Sequence, residues 1–129
     1  MAVAQLPNIS YPFGSWATAI DFPNKNASLA NLYNQIAAFN LNDRERVVAT
    51  LLDPSARTDP ETLRDFRVPT LFVTADLDVL IPPAIIHEAA SLVPNAELAN
   101  LGPIGHSSYF EDAQSFNEVV GEFLGRQTW

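Results

Sequence analysis

Two short apolar runs, residues 70–75 and 96–101, stand one helix apart in the second half of the chain, and they limit its fold more than any other feature. The first, Thr-Leu-Phe-Val-Thr-Ala after Pro69, is partly β-branched and does not alternate with polar residues, so it suits a strand covered on both faces in a parallel sheet. Between the runs, Pro82 and Pro83 open a helix in which Ile86, Ala89, Ala90 and Val93 share one face, closed by Pro94-Asn95. Gly102-Pro103 breaks the second run. A final helix over about 113–124 takes Asp112 as its cap and buries Phe116, Val119, Val120, Phe123 and Leu124. Residues 67–129 therefore read strand, helix, strand, helix, an α/β pattern with parallel strands.

Residues 1–66 contain no strand signal. The first 28 carry four aromatics (Tyr11, Phe13, Trp16, Phe22) and three prolines without a period, which predicts an irregular segment lying on something else. Leu29, Leu32, Tyr33, Ile36 and Ala37 then recur at helical spacing, with Ser28 placed to cap the free amides. A second helix is expected from Asn42, three residues before Glu45, burying Val47, Val48, Leu51 and Leu52 before Asp53-Pro54 ends it. These two form a helical hairpin. Asp59-Pro60 looks like the cap and first residue of a short helix to about Asp65. Two parallel strands alone make a poor sheet, because both faces and both edges need cover.

At 129 residues the chain is one domain's worth, and no apolar run approaches a membrane span. Seven basic against fifteen acidic residues give a formal charge of −8, which repels phosphate backbones and anionic lipid, so neither nucleic acid nor a membrane is an expected partner. The absence of Cys removes thiolate nucleophiles, disulfides and sulfur-ligated metal. His87-Glu88 has Ser91 where a zinc-protease helix needs a second histidine, so no metal or other cofactor is expected. Residues 1–10 lack a basic stretch leading into an apolar one, which favours a cytoplasmic location.

The pairing with most chemical content is Asp78, just past the first strand, and His106, just past the second. In open parallel sheets reactive groups collect beyond the carboxyl ends of the strands. A carboxylate that accepts from one imidazole nitrogen leaves the other free to take a proton. The spacing also fits Asp78 as a cap for the turn before the Pro82 helix, with His106 as a plain loop residue.

The stretch 68–124 resembles the C-terminal part of the α/β-hydrolase fold. The resemblance rests on Val68-Pro69 before a strand, Ala75-Asp76-Leu77-Asp78 at its end, Pro82 opening a helix, a second strand, Gly105-His106, and a closing helix with Phe116. It implies a partial α/β-hydrolase fold in which Asp78 is the triad acid and His106 the triad base. Residues 28–66 look like the end of the helical cap that many members insert before the acid-bearing strand. Ala75 stands where the family usually has Gly, which keeps Asp76 in view as the acid, with Asp78 favoured.

The family's Gly-x-Ser-x-Gly elbow is absent. Of eight serines, Ser15 in Phe13-Gly14-Ser15-Trp16-Ala17 comes nearest, but Phe13 fills a position that must be small and no apolar strand precedes it. Ser107 and Ser108 follow His106, on the wrong side of the family's order. The expected function is thus cleavage of an ester or related acyl group in a small-molecule substrate. The nucleophile would come from a missing N-terminal hydrolase half, or from completion of the sheet in a homo-oligomer. Tyr109, Phe110 and Trp16 are the candidates for substrate contact. Glu111-Asp112 reads as a helix start without a chemical role. The competing reading is a non-catalytic binding or self-associating module, whose mark would be an acid and histidine more than about 6 Å apart together with a sheet completed by self-association.

Overall fold

The computed structural model describes residues 16–39, 49–50, 53–56 and 59–127. A short helix α1 (Phe22–Lys25) leads into α2 (Ala27–Ala38), and 3₁₀ turns at Pro54–Ala56 and Pro60–Asp65 follow. Then come β1 (Thr70–Thr74), α3 (Pro83–Leu92), β2 (Ala96–Asn100), α4 (Ser108–Glu111) and α5 (Ala113–Gly125). The second half thus has the strand, helix, strand order expected of it.

The strands pair in parallel, in register from Thr70 opposite Ala96 to Thr74 opposite Asn100. Both consequently end at one edge. The ladder extends past that edge through Leu101 N–H to Thr74 O at 2.9 Å, Asp76 N–H to Gly102 O at 2.8 Å and Leu77 N–H to Ile104 O at 3.1 Å. Gly102, at φ +78°, takes the left-handed turn that a side chain would resist. Helix α3 packs against both strands, as the crossover between two parallel strands.

The expected cover on both strand faces is not found among the described residues. Leu71, Phe72 and Val73 are half-buried, and Leu98 of β2 is 43% exposed. Glu97 and Asn100 of β2, three positions apart and so on opposite faces of the strand, are both exposed. Arg126, at the end of α5, ion-pairs with Glu97 and ties that helix to β2.

Local signals account for most element ends. The Asp59 side chain accepts from Glu61 N–H at the Pro60 turn, and Asp112 accepts from Ser115 N–H and Oγ at the start of α5. The cap of α2 is Asn26, two residues before the expected Ser28, and its Oδ1 accepts from Leu29 N–H at 3.2 Å. Within the segment read as irregular, Pro23 near the start of α1 lets four residues turn helical. The expected helix from Asn42 falls outside the described residues except for positions 49–50, which are helical.

A small core of Ala19, Phe22 and Ala30, with Leu29 and Phe110 against it, fastens the N-terminal helices to α4. This junction places residues 17–19 directly on the loop that bears His106. No described helix is long and apolar enough to cross a membrane.

Candidate active site

Asp78 and His106 meet at the carboxyl edge of the sheet. The two residues are 28 apart in sequence, yet the parallel register brings their loops side by side, and His106 Nδ1 lies 2.9 Å from Asp78 Oδ2. The second carboxylate oxygen is held by backbone: Asp78 Oδ1 accepts from Leu80 N–H at 3.0 Å and Ile81 N–H at 2.9 Å. One Asp78 oxygen thus caps the turn before α3 and the other meets the histidine. Asp76, one candidate for the acid, instead accepts from Asn100 Nδ2 at 2.7 Å.

The pair is sequestered on one side and open on the other. The Asp78 side chain is 9% exposed and that of His106 is 39%. An ionised carboxylate only accepts, so the shared hydrogen belongs to Nδ1, and Nε2 keeps its lone pair for a proton from outside. The 2.9 Å contact is within hydrogen-bond reach.

The His106 loop is itself clamped from three sides. Ser107 N–H donates to Ala17 O, and the Ser107 hydroxyl shares a 2.8 Å hydrogen bond with Tyr33 of α2. Glu111 Oε1 accepts from both Ala19 N–H at 2.9 Å and Gly105 N–H at 3.0 Å. The sequence reading gave Glu111 no role beyond a helix start. It ends α4, and only Asp112 caps α5. Partial burial pushes the Glu111 carboxyl above its ordinary pKa, opposed by those two amides; Asp21 nearby adds to the rise and Lys25 opposes it.

Loss of the Tyr33 hydroxyl gives a direct measure of one clamp. Tyr33→Phe keeps the edge-on packing against Phe110, at 5.1 Å between ring centroids. It should lower stability by about 0.5–1.5 kcal/mol, read as a lower denaturant midpoint at constant slope.

The remaining candidates stand outside the pocket next to the pair. That pocket, about 70 Å³, is lined by Asp78 and His106 with Thr74, Ala75, Ile81 and Ser108 among others. It has room for a few waters, against several hundred Å³ for a typical ligand site. Tyr109 is 54% exposed and packs edge-on to Phe116, while Phe110 packs into the core against Tyr33. Trp16 is half-buried at the start of the segment that crosses the His106 loop. None of the three lines this pocket. Ser107 and Ser108 are buried, 2% and 8% exposed, and the Ser107 hydroxyl is bonded to Tyr33. Among the described residues no cluster of three or more His, Asp or Glu side chains is arranged to hold a metal.

The same architecture occurs in solved structures. The α/β-hydrolase enzyme MGS-M2, from a Medee basin deep-sea metagenome library, superposes with a TM-score of 0.69 at 20% identity, over 88% of this chain and 42% of that one. Est816, described as an N-acyl homoserine lactone degrading enzyme, does so with a TM-score of 0.68 at 23% identity, over 83% of this chain and 43% of its own. In sequence, a homoserine O-acetyltransferase of Nostoc punctiforme is 35% identical over 78 residues, 60% of this chain and 20% of that protein. No protein-family model matches the chain. Its fold is a partial α/β-hydrolase fold. The chain spans about two fifths of the length of these solved structures and one fifth of the acetyltransferase.

Proposed function

We propose that this chain supplies the acid and base of a hydrolase that cleaves an ester or related acyl bond. The carrying observation is the contact between His106 Nδ1 and Asp78 Oδ2, with the other carboxylate oxygen fixed by two backbone amides. The hydrolase fold and the lactone-degrading description of Est816 support the reading.

Asp78 holds the imidazole in the tautomer with hydrogen on Nδ1, and it stabilises the positive ring that forms on protonation. Nε2 of His106 takes the proton of an attacking hydroxyl as the oxygen–carbonyl bond forms. The same nitrogen returns that proton to the leaving oxygen as the acyl bond breaks, and it then takes a proton from water, whose attack releases the acyl group as the acid while the proton goes back to the original hydroxyl oxygen. The attacking hydroxyl comes from a segment or partner outside the described residues, since Ser107 and Ser108 are buried and the sequence lacks the elbow motif. The same outside portion supplies most of the substrate pocket, given the small space beside the pair.

Fluorophosphonate labelling tests the division of labour. The purified chain alone should take no label, and when it is purified with its natural complement the label should sit on another segment. Label attached to residues 16–127 of this chain would overturn the assignment of the nucleophile.

A further inference from the structure

We propose that Glu111 is a positioning residue for His106, a single carboxylate oxygen that locks the histidine loop to the segment at residues 17–19. As a device that holds His106 against Asp78 it stands on geometry alone; its part in turnover rests on the hydrolase reading.

One oxygen, Glu111 Oε1, accepts from Gly105 N–H, immediately before the histidine, and from Ala19 N–H, 92 positions away in sequence. Two backbone segments that lie side by side with both N–H groups facing inward cannot bond to each other; they need an acceptor between them. Glu111 is that acceptor. The neighbouring Ser107 N–H to Ala17 O bond sets the two segments antiparallel in sense, so the side chain completes a rung that backbone alone leaves open. The approach is close enough that a Cβ on Gly105 would fall 2.3 Å from Ala19 N and 2.4 Å from Thr18 C. A gap that tight fixes the backbone on either side of His106 in all but small movements. Moving residue 105 outward swings the imidazole away from a carboxylate that is itself pinned by Leu80 and Ile81. The Glu111 hydrogen bonds run to the backbone at Ala19 and Gly105 and not to the side chains of Asp78 or His106, so it acts through the loop.

The test is nitrogen NMR on the full chain, which holds two histidines, His106 and, as internal control on α3, His87. In the native protein His106 should report one tautomer with hydrogen on Nδ1, and the amides of Ala19 and Gly105 should be protected from exchange. E111Q keeps a carbonyl-type Oε1 and should preserve both signatures. E111A should speed exchange of those two amides by roughly tenfold or more, the factor corresponding to about 1.4 kcal/mol or more of lost hydrogen bonding. Its His106 nitrogens should average between tautomers while the His87 signals stay in place. A merely structural role would lower global stability without changing the His106 tautomer.

A folded E111A with the native His106 signature overturns the proposal, as does E111Q behaving like E111A. Should E111A not fold, the native protein decides: Ala19 and Gly105 amides exchanging as fast as those of an unstructured peptide overturn it. These readouts need no substrate, so they separate failure of the clamp from failure of the hydrolase reading.

Discussion

Asp78→Asn is expected to lower turnover of the completed enzyme by about 10⁴-fold while leaving the fold in place. The reason lies in the two separate duties of the side chain. The oxygen that accepts from Leu80 and Ile81 has a counterpart in the asparagine carbonyl, so the turn before α3 persists. The other position becomes an NH₂ group that only donates, which forces the His106 hydrogen from Nδ1 to Nε2 and fills the site that should receive a proton. His106→Ala should cost at least as much, since it removes the base itself. Asp76→Asn is the contrasting control: that side chain accepts from Asn100 through one oxygen, and turnover should stay within about twofold. Turnover of Asp78→Asn and His106→Ala at native levels would end the acid and base assignment.

Gly105→Ala should be strongly disruptive for the addition of a single methyl group. The added carbon would meet Ala19 N at 2.3 Å and Thr18 C at 2.4 Å, both backbone atoms, and Glu111 Oε1 at 2.7 Å. Rotation of a flexible side chain cannot relieve contacts with backbone. The segment at 17–19 must lift away, and the bonds from Ser107 to Ala17 and from Ala19 to Glu111 go with it. A loss of roughly 3 kcal/mol or more follows from overpacking and broken hydrogen bonds together. Denaturant unfolding checks this, with Gly121→Ala as reference, because nothing lies within 4 Å of a Cβ built there. Equal midpoints for the two variants would show that the close packing around Gly105 is not maintained in solution.

The features legible in the sequence are those whose causes lie within a few residues. Asp59 before Pro60 and Asp112 before α5 announce caps that form as read. The run Thr70–Thr74 is a strand, and the Pro82-Pro83 helix follows it. Helix α2 starts two residues before its apolar periodicity does, because Ala27 and Ser28 add nothing to the apolar stripe. Helix α4 is one turn long, too short for any period to show.

The site divides the same way. Strand-end placement brought Asp78 and His106 into view, but choosing between Asp76 and Asp78 required the register that sends one toward Asn100 and the other toward the imidazole. Glu111 was illegible because its partner Ala19 lies at the far end of the chain, and no local pattern marks a carboxylate as bound for a distant amide. Tyr109, Phe110 and Trp16 drew attention by nearness in sequence or by aromatic character, and neither specifies the direction of a ring.

The parallel crossover places both side chains within one contiguous stretch, β1, α3 and β2 with the loop that follows. That stretch is not portable by itself, because the loop after β2 is tied to Ala17, Ala19 and Tyr33 far upstream, and a graft of the pair into another scaffold would have to carry those moorings with it.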